Sequence, residues 1–119
     1  MSKSLYERLG GSEGITQIAN DVVECHLKNP AVATRFEAAD PDKLKNLAAT
    51  FFITGTGGPN VYEGRDMIST HKHMNISHQE FMAVCDDALE ALQMNGIGQR
   101  EQEEVLFVFY SMRNEIIGV

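Results

Sequence analysis

The sequence predicts an all-α fold in a single domain over residues 1–119. Three long stretches carry apolar residues at the i, i+3, i+4, i+7 spacing of one helix face, and capping signals stand near their starts. Strand signals are few, and those in ITGT and NVYEG are broken by glycine. A chain of 119 residues can bury one hydrophobic core but not two. We therefore expect about five helical segments around one core.

The first expected elements are a short helical turn and a long helix. The segment LYERLGG predicts one turn of helix, stopped by Gly10 and Gly11. Ser12 is the expected N-cap of the run SEGITQIANDVVECHL, and Glu13 is favourable in its first turn. The apolar residues of this run fall on one face, which should pack on the core.

The next helix has the clearest start signal. Asp40 and Pro41 combine an aspartate cap with proline at the first helical position, ahead of KLKNLAATFFIT. The segment TGTGGPN then interrupts the helical pattern. We expect a long glycine-bearing loop between Thr54 and Arg65.

Two further helices are expected in the C-terminal half. Ser77 and Glu80 form a capping box ahead of FMAVCDDALEALQM, whose apolar residues recur at helical spacing. A last helix is predicted over about residues 99–117, where VLFVFYSM supplies its apolar face.

Charge and composition exclude several classes of partner. The net charge of -7 argues against nucleic acid, because phosphate-binding surfaces need clustered Lys and Arg. No segment approaches the roughly 20 apolar residues that span a membrane, and MSKSLYERLGG lacks the apolar core of a secretion signal. We therefore expect a cytoplasmic protein. Cys25 and Cys85 are predicted to be reduced, buried thiols.

The segment STHKHMNISHQEF holds His71, His73 and His78. Residues two apart on a helix point about 200° away from each other, so His71 and His73 cannot bind one ion together. A predicted helix boundary separates His71 from His78, and a metal site made by the protein alone is not expected. His71 follows Met67 and Ile68 on an apolar face. It suits a single ligand to a metal whose other ligands come from a cofactor, as in haem; a packed or partly exposed histidine is the alternative.

Four segments together resemble one protein family: SLYERLGGSEGI, VATRFEAADPDKL, FFITGTGGPNVYEGRDM and HKHMNISHQEFMAV. They are similar to the truncated haemoglobins, and within these to the first group, which carries paired glycines, here Gly10-Gly11 and Gly57-Gly58. The resemblance covers about residues 5–117. It implies a two-over-two helical sandwich that encloses non-covalently bound haem b.

The resemblance also assigns site residues. It implies that His71 ligates the iron through one ring nitrogen, while the other donates a hydrogen bond that fixes the ring. Phe36 matches a phenylalanine that stacks on haem, and Phe51 with Phe52 matches the aromatic pair that closes the distal helix over it. The remaining assignments are an apolar proximal wall and two cations for the haem propionates: Met67, Ile76, Phe81 and Val84 for the wall, and Lys43 and Lys72 for the propionates.

On the distal side the sequence departs from the family pattern. Family members typically carry a tyrosine that points at the gas ligand, and the matching residue here is Val23. The polar residues that assist this tyrosine are matched by Leu44, Leu47 and Ala48. Thr50 is the nearest hydroxyl, and it either faces the pocket or bonds back to its own helix. The distal pocket is therefore expected to be apolar.

Two further expectations concern the iron and its attachment. His26 follows Val23 by one helical turn and is the one residue that could face the iron from the distal side, but we expect it to lie too far round the helix to do so. The iron should then be five-coordinate or carry weakly held water. Some relatives attach haem through a C-terminal histidine, but YSMRNEIIGV contains none.

Three functions are compatible with the sequence. The favoured one is reversible binding of O2, CO or NO, with the gas as partner and a reductase as an open second partner. NO dioxygenase or peroxidase-like activity on the same fold is the alternative, and the missing tyrosine disfavours it because both reactions use polar distal groups. The third is a haem-free helical interaction module. The sequence leaves the oligomeric state open.

Overall fold

A computed structural model describes residues 3–119, and it is all-α over that range. The helices are α1 (Leu5–Arg8), α2 (Gly11–Lys28), α3 (Pro41–Gly55), α4 (Met67–His71), α5 (His78–Met94) and α6 (Gln99–Ser111). Short 3-10 turns occupy Ala33–Phe36 and Arg113–Glu115. The predicted fold class is confirmed, while the single domain over residues 1–119 stays a prediction whose first two residues lie outside the described part.

The connection between α1 and α2 differs from the prediction. Helix α2 begins at Gly11 with Gly10 as its N-cap, so the expected Ser12 cap is wrong. Gly10 has a φ of 100°, a left-handed conformation that glycine adopts without strain, and the chain can turn sharply there. The Tyr6 hydroxyl accepts a hydrogen bond from the Ser12 backbone N–H at 3.1 Å, which satisfies one of the free amides of the first turn.

Four long helices form two packed layers. Helix α2 lies along α3 and also packs against α5, and α5 in turn packs against α6. This is the arrangement expected for a two-over-two sandwich. The core between the layers is made of buried apolar side chains: Leu9, Ile15, Ile18, Val22, Ile53, Phe81, Cys85, Ala88, Ala91, Leu92 and Phe109.

Helix α3 starts as predicted, and the following loop is tied back to it. The Asp40 side chain accepts a hydrogen bond from the Asp42 N–H, and Pro41 opens the helix. After α3, the backbone N–H groups of Val61 and Tyr62 both donate to Thr54 Oγ1 at 3.1 Å. The glycine-bearing loop is therefore anchored to the end of the helix it follows.

The C-terminal half confirms one boundary and corrects another. Both hydrogen bonds of the predicted capping box at the start of α5 are present. The last helix, however, ends at Ser111, so its predicted extension to Ile117 is wrong. Beyond Ser111 the chain forms a 3-10 turn, and Ile117 then pairs with Ile76 in an isolated parallel bridge, which brings the C-terminus against the segment after α4.

The two cysteines are free thiols, as predicted. Cys85 is buried, but Cys25 is only half-buried, which corrects the expectation for that residue. Among residues 3–119 there is no helix with the length and apolar character needed to cross a lipid bilayer.

Candidate functional site

A large cleft lies between the two helical layers. It leaves about 1190 Å³ of space between atoms, including the part that opens to solvent. One side is the α2/α3 wall, made of Val23, His26, Leu44, Leu47 and Ala48. The other side is the α4/α5 wall, which includes the segment between these two helices and is made of Met67, His71, Ile76, Phe81 and Val84.

The structure brings most of the predicted site residues together on this cleft. Twelve of them line it: Val23, Phe36, Leu44, Leu47, Ala48, Phe51, Phe52, Met67, His71, Ile76, Phe81 and Val84. Lys43 and Lys72 are exposed and do not line it. The individual roles of these residues, including propionate binding by the two lysines, stay predictions.

His71 is placed on the cleft by the short helix α4. Asp66 caps this helix by accepting a hydrogen bond from the Ser69 N–H at 2.8 Å. His71 Nδ1 lies 2.8 Å from the Met67 carbonyl oxygen, one turn earlier. A carbonyl oxygen only accepts, so Nδ1 carries the proton and Nε2 keeps a free lone pair. The bond to Met67 thus fixes the ring so that Nε2 is the nitrogen available to bind a metal.

The other histidines of the cluster lie elsewhere. Helix α4 ends at His71, and His73 and Asn75 both take positive φ angles, of 70° and 50°. The predicted helix boundary before α5 is therefore confirmed. His73 and His78 are exposed, and neither lines the cleft.

His26 lies nearer the cleft than the sequence suggested. Its side chain lines the cleft on the α2/α3 wall, while the expectation that it does not face the iron stays a prediction. The ring is buried and stacks on Phe36, with ring centroids 5.3 Å apart and planes inclined by 6°. The stacking fixes the ring plane, and a polar group is placed on a wall that was expected to be apolar.

His26 is held from the opposite layer by a buried carboxylate. Its Nδ1 lies 2.7 Å from Asp87 Oδ2, and Asn29 Nδ2 donates to Asp87 Oδ1 at 3.0 Å. Burial lowers the pKa of His26 below its ordinary value, although the Asp87 carboxylate acts in the opposite direction. The neutral form of the ring is therefore favoured, and α2 is bonded to α5 through the pair.

An ion pair stands at the edge of the same cleft. Arg35 Nε and Nη2 donate to the two carboxylate oxygens of Glu80 at 2.6 and 3.0 Å. The third guanidinium nitrogen, Nη1, donates to the Met74 carbonyl oxygen at 2.8 Å. The Arg35 guanidinium lowers the pKa of the Glu80 carboxyl to about 2. This pair joins the 3-10 turn before α3 to the start of α5 at the polar edge of the cleft.

Thr50 does not supply a hydroxyl to the cleft. Its Oγ1 donates back to the carbonyls of Asn46 and Leu47, both at 3.1 Å, and the residue is absent from the lining. Of the two possibilities that the sequence allowed, the structure has the bond to its own helix.

Sequence reasoning missed Asp87, Asn29 and the Arg35–Glu80 pair. A signal existed for the first: His26 falls four residues after Val22 on the apolar face of α2, and a polar residue at a core position usually has a buried partner. Nothing in the sequence indicated which acidic residue of α5 would be that partner.

Comparison with known proteins gives concordant results. The family described as bacterial-like globin matches residues 4–117. A Group 1 truncated hemoglobin of Tetrahymena pyriformis is 26% identical over 116 residues, covering 98% of this chain and 96% of the relative. Another from Synechocystis is 28% identical over 109 residues, covering 88% of each.

Solved structures agree with the sequence comparison. The crystal structure of the Tetrahymena pyriformis truncated hemoglobin in its Fe(III) form superposes with a TM-score of 0.95, covering 98% of this chain and all of that one. With the family match spanning nearly the whole chain, the protein belongs to the bacterial-like globins and is a truncated haemoglobin that binds haem and gaseous ligands.

Proposed function

We propose that this globin binds haem b non-covalently through His71 and binds O2, CO and NO reversibly. The observation that carries the proposal is the geometry of His71. Its Nδ1 is bonded to the Met67 carbonyl, and its ring borders an otherwise largely apolar cleft between the two helical layers. A histidine in this state has one lone pair to offer, which is what an axial ligand needs.

The cleft suits a flat apolar group with a polar edge. Leu47 lines it and is still 40% exposed, so apolar surface is present that a bound cofactor would cover. Phe51 and Tyr62 meet edge to face at 5.2 Å and support one end of it. Bound haem supplies an iron that can take a diatomic gas. The protein supplies the axial ligand, the apolar walls and the exclusion of water.

The α2/α3 wall sets the character of the gas site. Val23, Leu44 and Ala48 have no hydroxyl or amide to donate to a gas ligand. A hydrogen bond to O2 contributes about 1 kcal/mol or somewhat more. Without it we expect fast O2 release, whereas CO and NO depend less on a donor. Gas binding is therefore proposed ahead of NO dioxygenase or peroxidase-like turnover.

The test is the absorption spectrum of the haem-loaded protein in the ferric, reduced and reduced-plus-CO states. We expect a Soret band that shifts on CO binding in the wild type. In His71→Ala the haem affinity should fall by more than the roughly 10–100-fold that loss of an outer hydrogen bond costs, and added imidazole should restore the spectrum.

His73→Ala is the matched control, because His73 is exposed two residues away and does not line the cleft. It should leave the spectra unchanged. Equal haem affinity in wild type and His71→Ala would refute the assignment of His71 as ligand.

A further inference from the structure

His26 is the buried polar group on the α2/α3 wall, and its hydrogen bonds indicate which ring nitrogen donates and which accepts. We propose that His26 is a specificity-determining residue whose Nε2 accepts the proton of small protic ligands, such as hydrogen sulfide and hydrogen cyanide, when they bind in the cleft. The proposal rests on the proposed function, since haem in the cleft is what such ligands would bind. The hydrogen bonds behind this proposal join the side chains of Asn29, Asp87 and His26 and the backbone N–H of Ala31.

The orientation of Asn29 is fixed by its own backbone. Its Oδ1 accepts a hydrogen bond from the Ala31 N–H at 3.0 Å. Its Nδ2 is therefore the atom that faces Asp87, where it donates to Oδ1 at 3.0 Å. Because this oxygen accepts from an amide, Asp87 does not hold a proton there.

The protonation of His26 follows from that of Asp87. The second carboxylate oxygen, Oδ2, lies 2.7 Å from His26 Nδ1. With Oδ2 unprotonated as well, the carboxylate only accepts, so Nδ1 is the donor and carries the ring proton, which the NMR measurement below tests. In the neutral ring, Nε2 is then an acceptor.

Nε2 is reached from the cleft. Residues 3–119 contain no fully buried side-chain nitrogen or oxygen that lacks a partner, and Nδ1 is the ring nitrogen that bonds Asp87. His26 also lines the cleft, and we take the accessible ring edge that carries Nε2 to be the one that borders it. Arg35 and Glu80, the charged residues that line it too, are bonded to each other.

An acceptor treats gas ligands and protic ligands differently. O2 has no proton to give, so a neutral Nε2 offers it no hydrogen bond. Hydrogen cyanide must lose its proton on binding: the H–C bond breaks, the electron pair stays on carbon, and the proton passes to Nε2. The resulting imidazolium lies beside the Asp87 carboxylate, which stabilises it.

The variant Asp87→Asn should exchange the roles of the two His26 ring nitrogens, so that Nε2 donates a hydrogen bond where it accepted one before. Asn29 Nδ2 still needs an acceptor, so the new amide oxygen should take the Oδ1 side. The new NH2 group then faces His26 Nδ1, which can accept only if its proton moves to Nε2. The ring becomes a donor toward the cleft with the shape of the site preserved.

The test compares wild type, Asp87→Asn and the control Asp86→Asn, which changes the same charge at an exposed neighbour. Cyanide association with the ferric haem-loaded protein should be at least about tenfold slower in Asp87→Asn and unchanged in Asp86→Asn, since a positioned base contributes at least that much. O2 dissociation should become slower in Asp87→Asn.

A second measurement needs no variant. Nitrogen NMR of the wild-type CO complex should show the His26 proton on Nδ1. A proton on Nε2, or wild-type cyanide rates in Asp87→Asn, would overturn the proposal. If the wild type forms no haem complex at all, the proposed function itself fails, and the two failures are thus distinguishable.

Discussion

The two histidines of the cleft share a tautomer but differ in what imposes it. His71 bonds through Nδ1 to the Met67 carbonyl of its own helix, at 2.8 Å. His26 bonds through Nδ1 to the Asp87 carboxylate of another helix, at 2.7 Å. The first bond is local and neutral, whereas the second joins two helices and involves a charge.

This difference separates the orientation of one ring, His71, from a bond that holds two helices together, His26–Asp87. A bond within α4 orients the His71 ring and depends little on the rest of the fold. The His26–Asp87 bond requires α2 and α5 to be packed, and it makes Nε2 more basic because a carboxylate stabilises positive charge on the ring. We therefore expect changes at His26 to affect both stability and ligand preference, and changes at His71 to affect mainly haem binding.

The largest expected effect on stability comes from His26→Leu. It should lower the free energy of unfolding of the CO complex by about 3 kcal/mol, because the buried Asp87 carboxylate loses a donor. Urea unfolding measures the change, with His78→Leu as the exposed control.

The double variant His26→Leu, Asp87→Leu separates charge from packing. It should recover more than half of the loss, since no unpaired charge remains. If it is as unstable as the single variant, lost packing against Phe36 explains the effect instead.

An intermediate effect, on O2 dissociation, is expected from Leu44→Gln. This variant adds a hydrogen-bond donor, which neither histidine offers to O2. Leu44 lines the cleft on the α2/α3 wall. The rate of O2 dissociation, measured by stopped flow, should fall about tenfold, as a hydrogen bond of about 1.4 kcal/mol would give. Lys43→Gln is the control, because Lys43 is exposed and does not line the cleft; a similar change in both variants would argue against an apolar wall.

The smallest effect, on the free energy of unfolding, is expected from Arg35→Met at the edge of the cleft. The Glu80 pKa is about 2 in the folded protein and ordinarily 4.5. A lowered carboxyl pKa stabilises the fold above pH 4.5, and this contribution is lost as the pH falls towards 2. The variant should be less stable by up to about 1 kcal/mol at pH 7.

Urea unfolding across pH 2–7 checks this expectation. The difference between Arg35→Met and wild type should shrink as the pH falls below 4.5. Arg100→Met is the control, since the Arg100 side chain is 78% exposed. A difference that stays constant with pH would mean that Arg35 acts through packing and through its bond to Met74.

The helices with strong local signals could be predicted from the sequence. Asp40-Pro41 and the Ser77–Glu80 capping box mark starts that depend on neighbouring residues alone, and both are confirmed. The start of α2 was misplaced because its cap is a left-handed glycine assisted by Tyr6 from the preceding turn. The end of α6 was misplaced too: the last residues instead pair with a distant segment through the Ile76–Ile117 bridge, a contact that helical periodicity does not indicate.

By itself, the sequence determined the all-α class, the family and the placement of His71 on an apolar face, since helical periodicity and motif spacing are properties of neighbouring residues. Only the tertiary structure decided that His26 faces the cleft and that Asp87, sixty-one positions later, is its partner. The reason is physical: the side chain that satisfies a buried histidine is chosen by how two helices pack, and that geometry is not written in either helix alone.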